Sequence, residues 1–272
     1  MTTDRPTDGG QDAPTGTAIA PLRPGPRAWL ALIGAEARMV VRDTAGLVVP
    51  LGLPLLILVM NGLGSGGEEE IPGTGGRTVF DVYVLPLTLT VVVAMVGVVN
   101  LPSFLAHHRR SGVLRRLGVT PAHPVMVLVA QAVVGVIQAL LGVAVAIGVA
   151  VTVFDATPPA APLRAVALLV PVLAALYAVG TLVAAIAPTT NAAVAIGLVL
   201  FLGMGAGGGM FGPRENLPDA LATVGEFLPF GASVEVLGAA WVGTPVAAGH
   251  LFALLGGTVL AGAVAARFFR WS

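Results

Sequence analysis

Six apolar runs, at about 46–63, 82–106, 125–151, 163–187, 192–211 and 246–266, carry no Asp, Glu, Lys or Arg in their interiors. A helix needs roughly 20 such residues to cross the hydrocarbon core of a bilayer. The first run is short; the second and third are long enough to tilt. The chain as a whole is 56% hydrophobic and only 10% charged, against about 25% charged in soluble domains, so a soluble globular domain is excluded. The expected fold is an all-α integral membrane protein with six spans. Prolines fall inside several runs (Pro50, Pro54, Pro86, Pro102 and Pro171). Each removes a helical hydrogen bond and favours a kink, which a membrane helix tolerates when its neighbours satisfy the freed carbonyl.

The segments between the runs differ in kind. Residues 1–26 are polar and rich in Pro, Gly, Thr and Asp, without the apolar core of a signal peptide, and read as a disordered cytoplasmic tail. Residues 27–43 predict an amphipathic interfacial helix, with Trp29, Leu30, Ile33, Ala37, Val40 and Val41 on one side and Arg27, Arg38 and Arg42 on the other. The remainder, 44–272, reads as a single transmembrane domain. Its outer loop 64–81 is Gly-rich, acidic and expected to be mobile, and its inner turn at Pro188–Asn191 is tight. Thr120 and Pro121 suit the cap and first turn of the third span. The outer segment 212–245 is too apolar for a solvated loop and too interrupted for a span. Leu217, Leu221, Val224 and Leu228 share a helical face there, Leu228-Pro229-Phe230 breaks it, and Val234–Ala240 resumes. One or two short re-entrant helices dipping into the outer leaflet are expected.

All fourteen basic residues are Arg. A phosphate loop of the form G-x-x-x-x-G-K-[ST] needs its Lys, so the run Gly203–Gly212 is not one. If ATP drives this protein, another chain binds it. The absence of Cys removes disulfides and thiolate chemistry, and the four His lack metal-ligand spacing. Uncharged spans weigh against an ion-coupled carrier and against an embedded hydrolase. With the N-terminus in the cytosol, Arg5, Arg23, Arg27, Arg38, Arg42, Arg109, Arg110, Arg115, Arg116, Arg267 and Arg270 lie inside, and only Arg77, Arg164 and Arg214 lie outside. That asymmetry follows the positive-inside rule and leaves both termini cytoplasmic. Arg-only, Ala/Gly/Val/Pro-heavy usage points to the plasma membrane of a high-GC bacterium.

Between the second and third runs, Arg109, Arg110, Arg115 and Arg116 fall within eight residues beside Val113, Leu114 and Leu117. A basic helix there can grip a soluble partner, or merely fix orientation and touch anionic lipid. The pattern R-x-x-G-V-L-R-R-L-x-x-T-P from Arg109 to Pro121 resembles the cytoplasmic loop of ABC-2 type transporter permeases, nearest the membrane subunit of daunorubicin-type multidrug exporters. Many relatives carry Glu where this chain has Arg110. The series LPDAL, EFLPF and VEVL resembles the outer re-entrant element before the last span of such permeases.

The resemblance implies a non-catalytic permease, half of a dimer with itself or a sister permease, above separate ABC ATPase subunits that bind ATP and Mg. It implies that the loop 107–119 transmits ATPase closure to the second and third spans, so that a drug, antibiotic or lipid-like substrate leaves the cell. No cofactor in this chain and no nucleic-acid partner are expected. Gln131 and Gln138 share a face of the third span, lining a substrate path or, the preferred reading, bonding between helices. Gly203, Gly205, Gly207 and Gly209 form small-xxx-small steps suited to close packing, a dimer seam or an outer gate. Glu226, Pro229 and Glu235 stand where an outer exit would lie, although two exposed acids would read the same way, and His250 reads as a polar interface residue. A membrane scaffold or sensor subunit that transports nothing is the alternative of another class.

Overall fold

A computed structural model describes residues 25–64, 67–110 and 125–268. The predicted tail up to residue 24 and the Thr120–Pro121 cap lie outside the described residues. The described chain is helical: α1 (Pro26–Arg42), α2 (Thr44–Gly62), α3 (segments Phe80–Val84, Leu85–Ala94, Met95–Asn100 and Leu101–Arg110), α4 (Val125–Phe154), α5 (Pro162–Ile186), α6 (Thr190–Gly207), α7 (Asp219–Phe227), α8 (Pro229–Val242) and α9 (Ala248–Phe268). Six of these, α2 to α6 and α9, are long and apolar enough to cross a membrane, at the six predicted places. Between α2 and α3, Glu70 and Thr78 form an antiparallel bridge within the predicted mobile loop.

Pro26 opens α1 at a position where a missing N–H costs nothing. Asp43 ends it by turning extended, and its carboxylate then caps α2 by accepting from Gly46 N at 3.1 Å. The apolar side of α1 is covered in part by protein. Val40 is buried with Phe104 of α3 and Val134 of α4, with Ile33, Ala37 and Met39 packed around them. Leu30 and Val41 remain exposed. Part of the apolar face of this amphipathic helix therefore docks on the bundle, where the end of α3 offers it an apolar seat.

α3 is the axis of the molecule. In its most apolar stretch 83% of the residues are buried, against 17% in α9 and 22% in α2. A helix apolar on every side is suited to that place. α3 starts earlier than predicted, at Phe80, and so takes Asp81 into its first turn, fully buried. Asp81, read from the sequence as loop, thus sits at the very end of the span and is satisfied there by a distant segment: its carboxylate accepts from Thr157 N at 2.9 Å and from Thr157 Oγ1 at 2.8 Å. Two stretches of α3, Phe80–Val84 and Met95–Asn100, are wound as π-helix. The second lies just before Pro102, whose ring supplies no N–H. Gly180 of α5 and Gly197 of α6 approach this stretch so closely that a Cβ on either would overlap the Gly97 or the Val98 carbonyl.

The gap left by Pro50 is answered by neighbouring helices. Pro50 deprives the Gly46 carbonyl of its helical donor, and Asn100 Nδ2 and Gln138 Nε2 donate to it instead, at 2.5 and 2.8 Å. The fifth predicted span ran to 211, but α6 ends at Gly207 and Gly209 takes φ +88 in the following turn. The glycine run beyond Gly207 is thus not helix, since each Gly weakens helical continuation by up to about 1 kcal/mol relative to Ala.

Candidate functional site

At the arginine-bearing end, the last turn of α3 leads into the basic segment. Arg109 and Arg110 close that helix. Their side chains, and Val113, Leu114, Arg115, Arg116 and Leu117, lie outside the described residues. What is described is how that turn is held. Glu36 of α1 and His108 of α3 are both buried, and Glu36 Oε2 lies 3.0 Å from His108 Nε2. A buried carboxylate requires such a partner. Sequence reasoning overlooked Glu36, although its position one turn before Val40 places it on the apolar side of α1, where an acid is anomalous.

In the middle of the bundle the two glutamines part company. Gln138 is committed to the Gly46 carbonyl, the interhelical hydrogen bond that was the preferred reading. Gln131, a further two turns toward the arginine-bearing end, is also buried, but its Oε1 has no hydrogen-bond partner among the described residues. The Tyr177 hydroxyl of α5 is likewise unpartnered among them. It sits against Gly135, one turn along α4 from Gln131, and the Tyr177 ring packs on Gly97 of the π-helical stretch. Inside this part of the apolar bundle the polar groups left without a described partner are therefore Gln131 Oε1 and the Tyr177 hydroxyl.

At the opposite end, α7 and α8 form the predicted broken element, meeting at 75°. Leu228 is extended at the break and Pro229 starts α8. Leu221 and Val224 are exposed on α7, whereas most of α8 is buried. Leu217 falls before α7 begins, so it does not share that helical face. Three glycines allow the bend to nest: a Cβ on Gly225 would overlap the Gly207 carbonyl, and one on Gly231 the Gly225 carbonyl. Among the other glycines of the run, Gly205 faces Met210 and Gly203 faces open space.

Charged groups tie this element to its surroundings. Glu226 Oε1 lies 2.7 Å from His250 Nε2 of α9, with the Phe227 ring against the imidazole. Glu235 forms an ion pair with Arg214, in the turn after α6. Both acids are half-buried and paired rather than free in solvent, and His250 is buried rather than an isolated interface residue. Tyr83 of α3 donates to the Gly209 carbonyl. Arg77 donates to Thr157 Oγ1 and to the Pro158 carbonyl, each at 3.0 Å, and Trp241 Nε1 donates to the Thr157 carbonyl at 3.2 Å. Between α3, α8 and α9 lies a cavity of about 370 Å3, with Tyr83, Glu235 and His250 in its lining. Among the described residues no group of three acidic or His side chains is placed to hold a metal ion.

Comparison with known protein families matches the chain, over residues 67–267, to the model described as ABC-2 family transporter protein. The match runs from the bridged loop before α3 almost to the end of α9, and so includes Gln131, Tyr177 and the whole α7–α8 element. A search of curated proteins finds no match.

Proposed function

We propose a transport role because this chain belongs to the ABC-2 transporter family: it is the permease subunit of an ATP-driven exporter. It moves a hydrophobic or amphipathic molecule (a drug, an antibiotic or a lipid) out of a bacterial cell. ATP and Mg are bound, and ATP is hydrolysed, on a separate ABC ATPase subunit. A second permease, identical or a sister chain, supplies the other half of the path. The Arg distribution orients the end of α3 toward the cytosol.

The observation that carries this reading is the course of α3. One buried helix begins at the outer network around Asp81 and Tyr83, passes Tyr177 at its π-helical stretch, and ends at the basic segment. Movement imposed at Arg109–Leu117 has a continuous, protein-enclosed route to the outer end. The π-helical stretch and the Pro102 gap give that route a place where the ladder is already interrupted. Exchange between inward- and outward-open states then needs contacts that differ between the states at the two ends, and the Glu36–His108 and Glu226–His250 pairs lie at those ends.

The test is reconstitution with a candidate ATPase in inverted vesicles. ATP-dependent uptake of an amphiphile is expected, and Arg115→Glu with Arg116→Glu should abolish both ATPase capture and uptake. A variant that inserts normally and still stimulates the ATPase fully would refute coupling through this segment. ATPase stimulation that never accompanies substrate movement would favour a sensor instead.

A further inference from the structure

At the arginine-bearing end a cleft of about 620 Å3 opens between α1, the last turns of α3 and the start of α6. Arg38 and Arg42 line it one turn apart on α1, facing Ser103 and His107, one turn apart on α3, and Thr190, the first residue of α6. Met39 and Phe104 supply apolar wall. Neither guanidinium belongs to an ion pair among the described residues. Among the described residues Arg38 donates only to the Gly34 carbonyl of its own helix, at 3.0 Å. The remaining charged lining group is Asp43, whose carboxylate is engaged in capping α2. Among the described lining residues, two guanidiniums against one carboxylate leave one net positive charge before His107 is counted. That charge matches a phosphodiester better than a multiply charged free anion.

A second feature extends from the same cleft. Thr190, Val194, Leu198 and Leu202 follow one another at helical spacing along α6. The three apolar members are 39%, 41% and 38% exposed, while Ala193, Gly197 and Phe201 of the same helix are buried. A strip of apolar side chains thus runs from the cationic cleft into the span, with no described residue covering it. A soluble anion or an acidic peptide has no use for such a strip; an acyl chain does.

We propose that this cleft binds the phosphate headgroup of an anionic phospholipid from the leaflet at that end, with its acyl chain lying along Val194, Leu198 and Leu202 of α6. The guanidiniums of Arg38 and Arg42 donate to the phosphate oxygens, and Ser103, His107 and Thr190 complete the polar wall. Occupancy would brace α1 against α3 and α6 at the turn from which the basic segment leaves. The site is separate from the transport reading, since it requires only that α6 span the bilayer.

The experiment uses the full chain purified in detergent and offered an equal mixture of phosphatidylglycerol and phosphatidylcholine, with bound lipid read by native mass spectrometry. Wild type should retain phosphatidylglycerol preferentially. Arg38→Gln with Arg42→Gln should lower that retention roughly tenfold, leaving phosphatidylcholine unchanged. Equal retention by a double variant that unfolds at the wild-type temperature overturns the proposal. Protection of the wild type by inorganic phosphate as strong as by phosphatidylglycerol overturns it as well, because the occupant is then a free anion. Should the double variant not fold, an acyl-photoreactive phosphatidylglycerol on the wild-type chain decides. Labelling within Val194–Leu202 is expected, and labelling confined to other helices refutes the site.

Discussion

Gln138 donates its side-chain amide to the Gly46 carbonyl across 2.8 Å, replacing the helical donor that Pro50 removes from α2. Asn100 donates to the same oxygen. Pro50 on one helix and the two amides on two others are therefore one arrangement. Either single change, Asn100→Leu or Gln138→Leu, should cost about 1 kcal/mol, the scale of hydrogen bonds between membrane helices. The double change should cost more than the sum, because only then is the carbonyl left unpaired. Adding Pro50→Ala should recover part of the loss by restoring a helical N–H. Thermal unfolding in detergent measures all four variants.

The buried Glu36–His108 pair secures α1 to the turn that enters the basic segment. Glu36→Ala should destabilise the protein by about 1–3 kcal/mol by removing the buried carboxylate from the imidazole and opening packing around Val40. Its distinctive readout is faster amide exchange in α1 and the last turn of α3, with α8 unaffected. Uniform acceleration along the chain would show that the pair has no such local role.

Glycine substitutions should separate contact from propensity. Gly180→Ala forces a methyl into the Gly97 carbonyl and should destabilise by about 1–3 kcal/mol. Gly203→Ala meets no neighbour and should stabilise α6 by up to about 1 kcal/mol. If Gly203→Ala instead leaves the single chain stable but lowers the dimer fraction in cross-linking, a second permease packs on that open face.

The two pairs at the end of the bundle opposite the basic segment can be tested against the transport reading. Glu226→Gln weakens the tie from α7 to His250, and Glu235→Gln removes the negative charge opposite Arg214. If they hold the outer exit, the combined variant should export several-fold less substrate while keeping its ATPase stimulation. Unchanged export would assign both pairs to packing alone.

Much of this architecture was legible in the sequence. Each span carries enough apolar length to declare itself, and Leu228-Pro229-Phe230 marks the α7–α8 break without reference to any neighbour. The site was legible less evenly. Arg109–Leu117 stood out as charge amid apolar sequence, and Glu226 and Glu235 as acids in an apolar segment, but their partners did not. Asp81 was assigned to a loop because a charged residue ordinarily ends a span; Thr157 removes that constraint. Glu36 passed unnoticed because an acid in an Arg-bearing amphipathic helix reads as solvated.

What the sequence determined alone was local: six helices long enough to cross, the break before α8, and the absence of a Lys-bearing phosphate loop. These follow from side chains meeting lipid or water and from the fixed geometry of Pro. Only the tertiary structure decided that α3 is central, that Gln138 answers Pro50 while Gln131 answers nothing described, and that His108 meets Glu36 across 72 residues of chain. Helical periodicity states which face a residue occupies. It says nothing of which helix lies opposite or at what height, and those are set when all the surfaces pack together.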